Sequence, residues 1–131
     1  MNGLLRGAAG AAFVSLALLS GCAVTEKSMQ EKGLRPTSEA ELRAQFARER
    51  SFRWTGVRGS GTGRTWPDGR AMVEFPGGSM PGAWRIEGGL MCSKYGDLPD
   101  RCMRAYKTGP REYQYFLPAD GSWQSTVVET D

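Results

Sequence analysis

Short runs of alternating apolar and polar residues fill the chain from Ser51 to its C-terminus. The alternation is complete in residues 84–87 (WRIE), and Val73 and Phe75 share one parity in residues 70–75 (RAMVEF). A period of two is the spacing of a strand with one buried face. The pattern predicts eight strands, near 52–58, 62–66, 70–75, 83–87, 90–95, 102–107, 112–117 and 123–129.

Turn-forming residues separate these runs. Glycine, proline and aspartate cluster at 67–69, 77–78, 88–89, 109–110 and 120–121, and the pair Gly88-Gly89 is typical of a tight hairpin. Strands joined by such short turns pair antiparallel with their neighbours. The predicted fold is therefore mainly β: an antiparallel meander, either a curled sheet or a small barrel, with one short N-terminal helix packed on it.

A helix is predicted just before the first strand, over residues 39–48. Ser38 is a good N-cap, and Glu41 stands three residues later, which is the spacing of a capping box. Leu42 and Phe46 lie four residues apart and therefore on one face. This narrow apolar stripe predicts a helix with one side docked on the sheet and the other in water.

The first 22 residues have the pattern of an export signal. Arg6 precedes a small and apolar run over 7–19, which is about the length of a secretory h-region and too short for a mature membrane span. Residues 19–22 (LSGC) follow at once and resemble the lipobox of bacterial lipoproteins. That resemblance implies cleavage after residue 21 and lipid modification of Cys22; the alternatives are an ordinary signal peptide and an uncleaved anchor.

The organisation that follows has three parts. We expect residues 1–21 to be the signal peptide, 22–37 an acylated N-terminus and flexible tether, and 38–131 a β-rich domain. Residues 23–37 contain few large apolar side chains and no periodicity, as is typical of a tether. More than one acyl chain gives durable membrane attachment. The expected location is the cell envelope. By resemblance to lipoprotein sorting in enteric-type envelopes, Ala23 after the cysteine favours the outer membrane, facing the periplasm.

Cys92 and Cys102 remain once Cys22 is assigned to the lipid. An exported protein meets an oxidising compartment, so the simplest expectation is a disulfide, worth about 3 kcal/mol for a loop of this length. The alternatives are a metal pair and a redox dithiol. Two thiolates without histidine make a poor zinc site, and the spacer is not that of a C-x-x-C motif.

The charge balance and the lack of histidine exclude several functions. The chain has 17 Lys+Arg, 14 Asp+Glu and no His. Catalytic pairs that need imidazole are therefore excluded. The net positive charge is too small for nucleic-acid binding. No metal or other cofactor is expected. The expected partners are the membrane, through the lipid, and an envelope protein or glycan.

Several segments resemble a group of small exported proteins and predicted lipoproteins of alphaproteobacteria, classed as domains of unknown function. The similar segments are 39–46 (EAELRAQF), 68–70 (DGR) and 82–88 (GAWRIEG), followed by Cys92, Tyr95, Cys102, Tyr106, Gly109, Tyr113, Tyr115 and 120–121. The resemblance implies a β-rich fold with one N-terminal helix. It implies no catalytic activity, because the group has none established.

Three patterns suggest chemistry but fit it poorly. The glycine-rich run 58–64 (RGSGTGR) lacks the spacing of a phosphate-binding loop and is better interpreted as a loop or irregular edge strand. Asp97 and Asp100 are too few for a calcium loop, and turn formation around Pro99 explains them. The scattered methionines lack the clustering of a copper(I) site and suit an irregular core.

The remaining candidates form a possible binding surface. Tyr113 and Tyr115 share one face of a strand, and Lys107 and Arg111 are near enough in sequence to complete a glycan- or peptide-binding patch. The expected function is a non-enzymatic binding or structural accessory of the envelope. One alternative is an inhibitor of a cell-wall hydrolase that inserts the 92–102 loop with Lys94 and Arg101. The least favoured alternative is a hydrolase using Asp97 and Asp100.

Overall fold

The computed structural model describes residues 24–131, which contain two short helices and eight strands. The helices are α1 (Glu26–Glu31) and α2 (Glu39–Phe46). The strands are β1 (Arg50–Gly56), β2 (Gly59–Thr65), β3 (Arg70–Phe75), β4 (Gly78–Glu87), β5 (Leu90–Tyr95), β6 (Arg101–Lys107), β7 (Glu112–Phe116) and β8 (Trp123–Glu129).

The strands close into a barrel. Each pairs antiparallel with the next along the chain, and β1 pairs with β8, with Phe52 opposite Glu129 and Trp54 opposite Val127. The predicted antiparallel meander is confirmed, and its form is the closed barrel rather than an open curled sheet. Closure gives every strand two hydrogen-bonded neighbours, so the barrel has no exposed edge.

The two ends of the barrel differ. The turns at 66–69, 88–89 and 108–111, together with the start of β1, lie at one end, which α2 covers; we call it the closed end. The turns at 57–58, 76–77, 96–100 and 117–122 lie at the other end, which we call the mouth. This division decides where the barrel interior is accessible.

Helix α2 closes its end by inserting the predicted apolar face. Leu42 is 0% exposed and Phe46 2%, and the Phe46 ring centre lies 4.8 Å from that of Trp84. The Ser38–Glu41 capping box is present in both directions. The helix ends at Phe46, two residues before the predicted end.

Helix α1 corrects the predicted flexible tether over the described part of residues 22–37. Thr25 and Ser28 form a reciprocal capping box, and Met29 is only 2% exposed. Met29 packs outside the barrel wall with Tyr106 and Phe116, which are fully buried. Met29 is the only fully buried apolar residue of this helix, and so short an apolar pattern is why composition predicts a tether.

Polar contacts hold the same segment at both ends. Arg104 Nη1 donates to both carboxylate oxygens of Glu26, at 3.0 and 2.8 Å, and the Tyr106 hydroxyl donates to Glu26 at 2.8 Å. Further along, the Thr37 N–H donates to the carbonyl of Ala105 at 2.7 Å. Residues 24–37 therefore lie along the wall from the mouth towards the closed end.

Glycine makes room for aromatic rings inside the barrel. A side chain at Gly63 would overlap the Phe52 ring, and one at Gly82 would overlap the Tyr95 ring. These contacts explain the glycines at 63 in β2 and 82 in β4. They also explain why residues 78–82 resemble a turn in sequence although they belong to β4.

The predicted disulfide is at bonding distance in the structure. Cys92 on β5 lies directly opposite Cys102 on β6, and the two sulfurs are bonded. Arg101 and Met103, the neighbours of Cys102, have the opposite parity and project towards the interior. The disulfide therefore joins the outer faces of two adjacent strands. Neither described helix is long and apolar enough to cross a membrane.

Candidate ligand cavity inside the barrel

The barrel encloses a cavity of about 680 Å³ that opens at the mouth. Its inner part is lined mainly by apolar side chains, among them Phe52, Trp54, Val73, Met91, Met103 and Val127. Both its volume and its apolar lining are those of small-molecule sites in proteins. The cavity follows from the fold, because an eight-stranded barrel is wide enough to hold one small ligand.

Arg50 is the exceptional residue of this lining. It begins β1 with the same parity as Phe52 and Trp54, so its side chain enters the barrel, where it is 2% exposed. Its guanidinium carbon lies 4.4 Å from the centre of the Phe46 ring and 5.5 Å from that of Phe52. Such contacts stabilise a buried cation but do not use its N–H donors.

The donors of Arg50 are only partly used. Nη1 donates to Thr65 Oγ1 at 3.3 Å, and Nε lies 3.5 Å from Glu129 Oε2 without forming a hydrogen bond. Nη2 is buried and has no hydrogen-bond partner among the described residues. Glu129 is shared, since Arg48 and Gln45 also donate to it. An incompletely satisfied buried cation is costly, so this site calls for an explanation.

Two tyrosines add hydroxyl groups to the same cavity. Burial raises the pKa of Tyr115 to about 12, and the positive charge of Arg50 opposes this shift. Burial likewise raises the pKa of Tyr95 to about 12, and Arg50 again opposes it. Both side chains therefore stay neutral at physiological pH and supply donors rather than anions.

Two more arginines lie at the mouth. Arg101 begins β6 and projects inwards, and Arg58 lies in the β1–β2 turn. Burial, followed by the nearby charge of Arg58, lowers the pKa of Arg101. Neither residue forms an ion pair with another residue of the 24–131 range. Together with Arg50 they give the cavity an excess of positive charge, because within residues 24–131 Glu129 is the only carboxylate within ion-pair distance of Arg50.

The predicted binding surface is wrong for its two tyrosines. Tyr113 is 8% exposed and Tyr115 2%, because both point into the barrel rather than outwards. Tyr115 lines the cavity, whereas Tyr113 belongs to the core beneath α2. Sequence parity places the pair on one face correctly but does not say that the face is the interior.

The cations of that surface do not gather at one place. Lys107 and Arg111 are exposed near the closed end, where Lys107 Nζ lies 5.9 Å from the centre of the Tyr113 ring. Lys94 lies near the mouth, and its Nζ donates to the carbonyls of Gly96 and Leu98. Lys94 is exposed on the outer face, whereas Arg101 points into the cavity, so the two cations do not project from the loop in the same direction.

The two aspartates of the 92–102 loop also lie in different environments. Asp100 receives two hydrogen bonds from Arg85, at 2.9 and 2.8 Å, and these hold its pKa below the usual range. Asp97 is exposed in the turn. Among residues 24–131 no three His, Cys, Asp or Glu side chains are close enough to hold a metal ion.

Comparisons with protein-family models, with curated proteins and with solved structures gave no match. The assignment of function therefore depends on the cavity itself. Cys22, the predicted lipidation site, and the predicted signal peptide over 1–21 lie outside the described residues. The sequence signal for Arg50 was its shared parity with Phe52 and Trp54, since alternation places a charged residue on an apolar face.

Proposed function

We propose that this chain is a non-enzymatic binding protein of the bacterial cell envelope, which holds a small and largely apolar molecule inside its barrel. The observation that carries the proposal is the cavity of about 680 Å³, closed by α2 at one end and open at the other. A core without a ligand function is normally filled by side chains to crystal-like density. Here the side chains that line the barrel leave that volume unfilled beneath the covering helix.

The place of the N-terminal segment supports a membrane-associated role. Thr25 forms a bridge with Ser122 in the β7–β8 turn, and the Glu26 N–H donates to the carbonyl of Gly121 at 2.9 Å. Both contacts lie at the mouth. An acylated Cys22 would stand three residues before Thr25, so the lipid would hold the mouth close to the membrane surface. An apolar ligand would then pass between bilayer and barrel with little exposure to water.

Binding is tested by titration with the neutral apolar fluorophore N-phenylnaphthylamine. The protein is the full chain with Cys22→Ser, so that no acyl chain of its own occupies the cavity. We expect saturable binding at one site. Ser93→Phe, which places a ring inside the cavity, should abolish it. Ser79→Phe on the outer face of neighbouring β4 should bind like the parent chain. Equal binding by both variants, or none by the parent, would refute the cavity as the site.

Anchoring is tested separately, by metabolic labelling with a fatty-acid analogue. The wild-type chain should carry the label and sediment with membranes, because a multiply acylated terminus remains in the bilayer. Cys22→Ser should lose the label. A labelled Cys22→Ser chain, or an unlabelled wild-type chain, would contradict lipidation without bearing on the cavity.

A further inference from the structure

We propose that the ligand is an organic acid whose carboxylate binds Arg50 at the closed end of the cavity while its apolar part extends towards the mouth. This proposal rests on the proposed function and names the chemical class of its ligand. The group that recognises the ligand is the buried guanidinium, and the apolar lining between Arg50 and the mouth receives the hydrocarbon.

The unsatisfied hydrogen bonds of Arg50 are the first argument. A guanidinium carries five N–H donors, of which Thr65 receives one at 3.3 Å. Neither Nε nor Nη2 has a hydrogen-bond partner among the described residues. A carboxylate matches the fork of a guanidinium, and the charge-assisted bonds it forms are about twice as strong as neutral ones. The carboxylate of an organic acid therefore supplies the hydrogen-bond acceptors that Arg50 does not find within residues 24–131.

The charge of the site is the second argument. Glu129 lies 3.5 Å from Arg50 Nε but also receives hydrogen bonds from Gln45 and Arg48, so it does not belong to Arg50 alone. Arg58 and Arg101 at the mouth add positive charge with no ion-pair partner in residues 24–131. An anionic ligand is favoured along the whole path from the mouth to the closed end.

Access to Arg50 requires only side chains to move. Its guanidinium is covered by the rings of Phe46 and Phe52, and it is 2% exposed. Met91 and Met103 line the same half of the cavity, and methionine adapts its shape readily. The carboxylate reaches Nη2 when these side chains rearrange, and Tyr115 supplies a neutral hydroxyl nearby.

The length of the cavity selects the probe. Strand β1 runs from Arg50 to Gly56, seven residues. At about 3.3 Å per residue and a barrel tilt of about 40°, this strand rises about 15 Å along the axis. Decanoic acid is comparable in extended length. Decanol and decyltrimethylammonium share its chain but carry a neutral and a cationic group.

The experiment measures displacement of N-phenylnaphthylamine by these three compounds from the full chain with Cys22→Ser. We expect decanoate to bind at least about tenfold more tightly than decanol, and the cation more weakly still. Arg50→Gln should remove the preference for decanoate while leaving decanol binding intact. Arg53→Gln, three residues along β1 on its outer face, is the matched control and should keep the preference.

Each of the other outcomes would contradict a specific part of the proposal. If decanol binds as tightly as decanoate to the parent chain, the acid proposal is wrong while the cavity remains; this comparison does not require that Arg50→Gln folds. If Arg101→Gln loses the preference and Arg50→Gln keeps it, the carboxylate lies at the mouth and the proposal is again wrong. If none of the three displaces the fluorophore although it binds, the ligand class is wrong. If the fluorophore itself does not bind, the proposed function fails.

Discussion

Replacing Met29 by Ala tests whether the N-terminal segment is docked as a separate unit on the barrel wall. Met29 is 2% exposed and is the apolar contact of α1 with Tyr106 and Phe116. Truncation of a buried methionine costs about 2–5 kcal/mol. For Met29→Ala we expect a cost of about 2–3 kcal/mol, because a segment on the outer wall can move to fill part of the space that the methionine side chain leaves.

The assay is amide hydrogen exchange, measured where reclosing is faster than exchange. The Thr37 N–H, bonded to the Ala105 carbonyl, reports detachment of the segment. Since 1.4 kcal/mol is a factor of ten, we expect Thr37 to exchange about 30- to 150-fold faster in Met29→Ala. Amides of β8 should keep their rates. Lys27→Ala, exposed on the same helix, is the control and should change neither.

Two results would refute this reasoning. If Thr37 keeps its exchange rate in Met29→Ala, the side chain does not hold the segment. If Thr37 and the β8 amides accelerate by the same factor, segment and barrel open together, and α1 is part of the global folding unit. Either result would show that Met29 does not dock the N-terminal segment on the barrel wall as a separate unit.

Three further predictions concern stability. Replacing Cys92 and Cys102 together by Ala should lower the free energy of unfolding by about 3 kcal/mol. Denaturant titration of the oxidised parent and of the variant measures this difference, and an unchanged value would contradict a stabilising disulfide. Burial raises the pKa of both Tyr95 and Tyr115 to about 12, above about 10 in the unfolded chain. Their contribution is therefore complete below pH 10 and is lost as the pH rises towards 12, so tyrosinate absorbance should appear there together with unfolding; independent titration near pH 10 would contradict it. Phe46→Ala should cost about 3–5 kcal/mol by removing the ring that closes the barrel, and a loss under 1 kcal/mol would show that α2 is not needed for closure.

Sequence patterns predict the elements of this fold better than its closure. The capping box at Ser38 and the Leu42–Phe46 stripe identify α2, because both signals are local. The pairing of β1 with β8 joins residues far apart, such as Phe52 and Glu129, and a period of two is the same in an open sheet. Closure therefore requires the structure.

The candidate site follows from sequence only in part. The cysteine pair was predictable because few cysteines leave few choices. The spacing of Tyr113 and Tyr115 predicts that they share one face, yet an amphipathic ring does not reveal which face is inside. Arg50 begins its strand, where a charged residue is ordinarily exposed, and only barrel closure and the covering helix bury it. The cavity arises from all eight strands and has no local sequence signal.

The most direct test of the central claim is nuclear Overhauser contact between carbon-13-labelled decanoate and the full chain with Cys22→Ser. We expect contacts from the ligand chain to the inward side chains of Phe52, Met91 and Val127. Contacts confined to the exposed Val57 at the rim, or none at ligand saturation, would contradict binding inside the barrel.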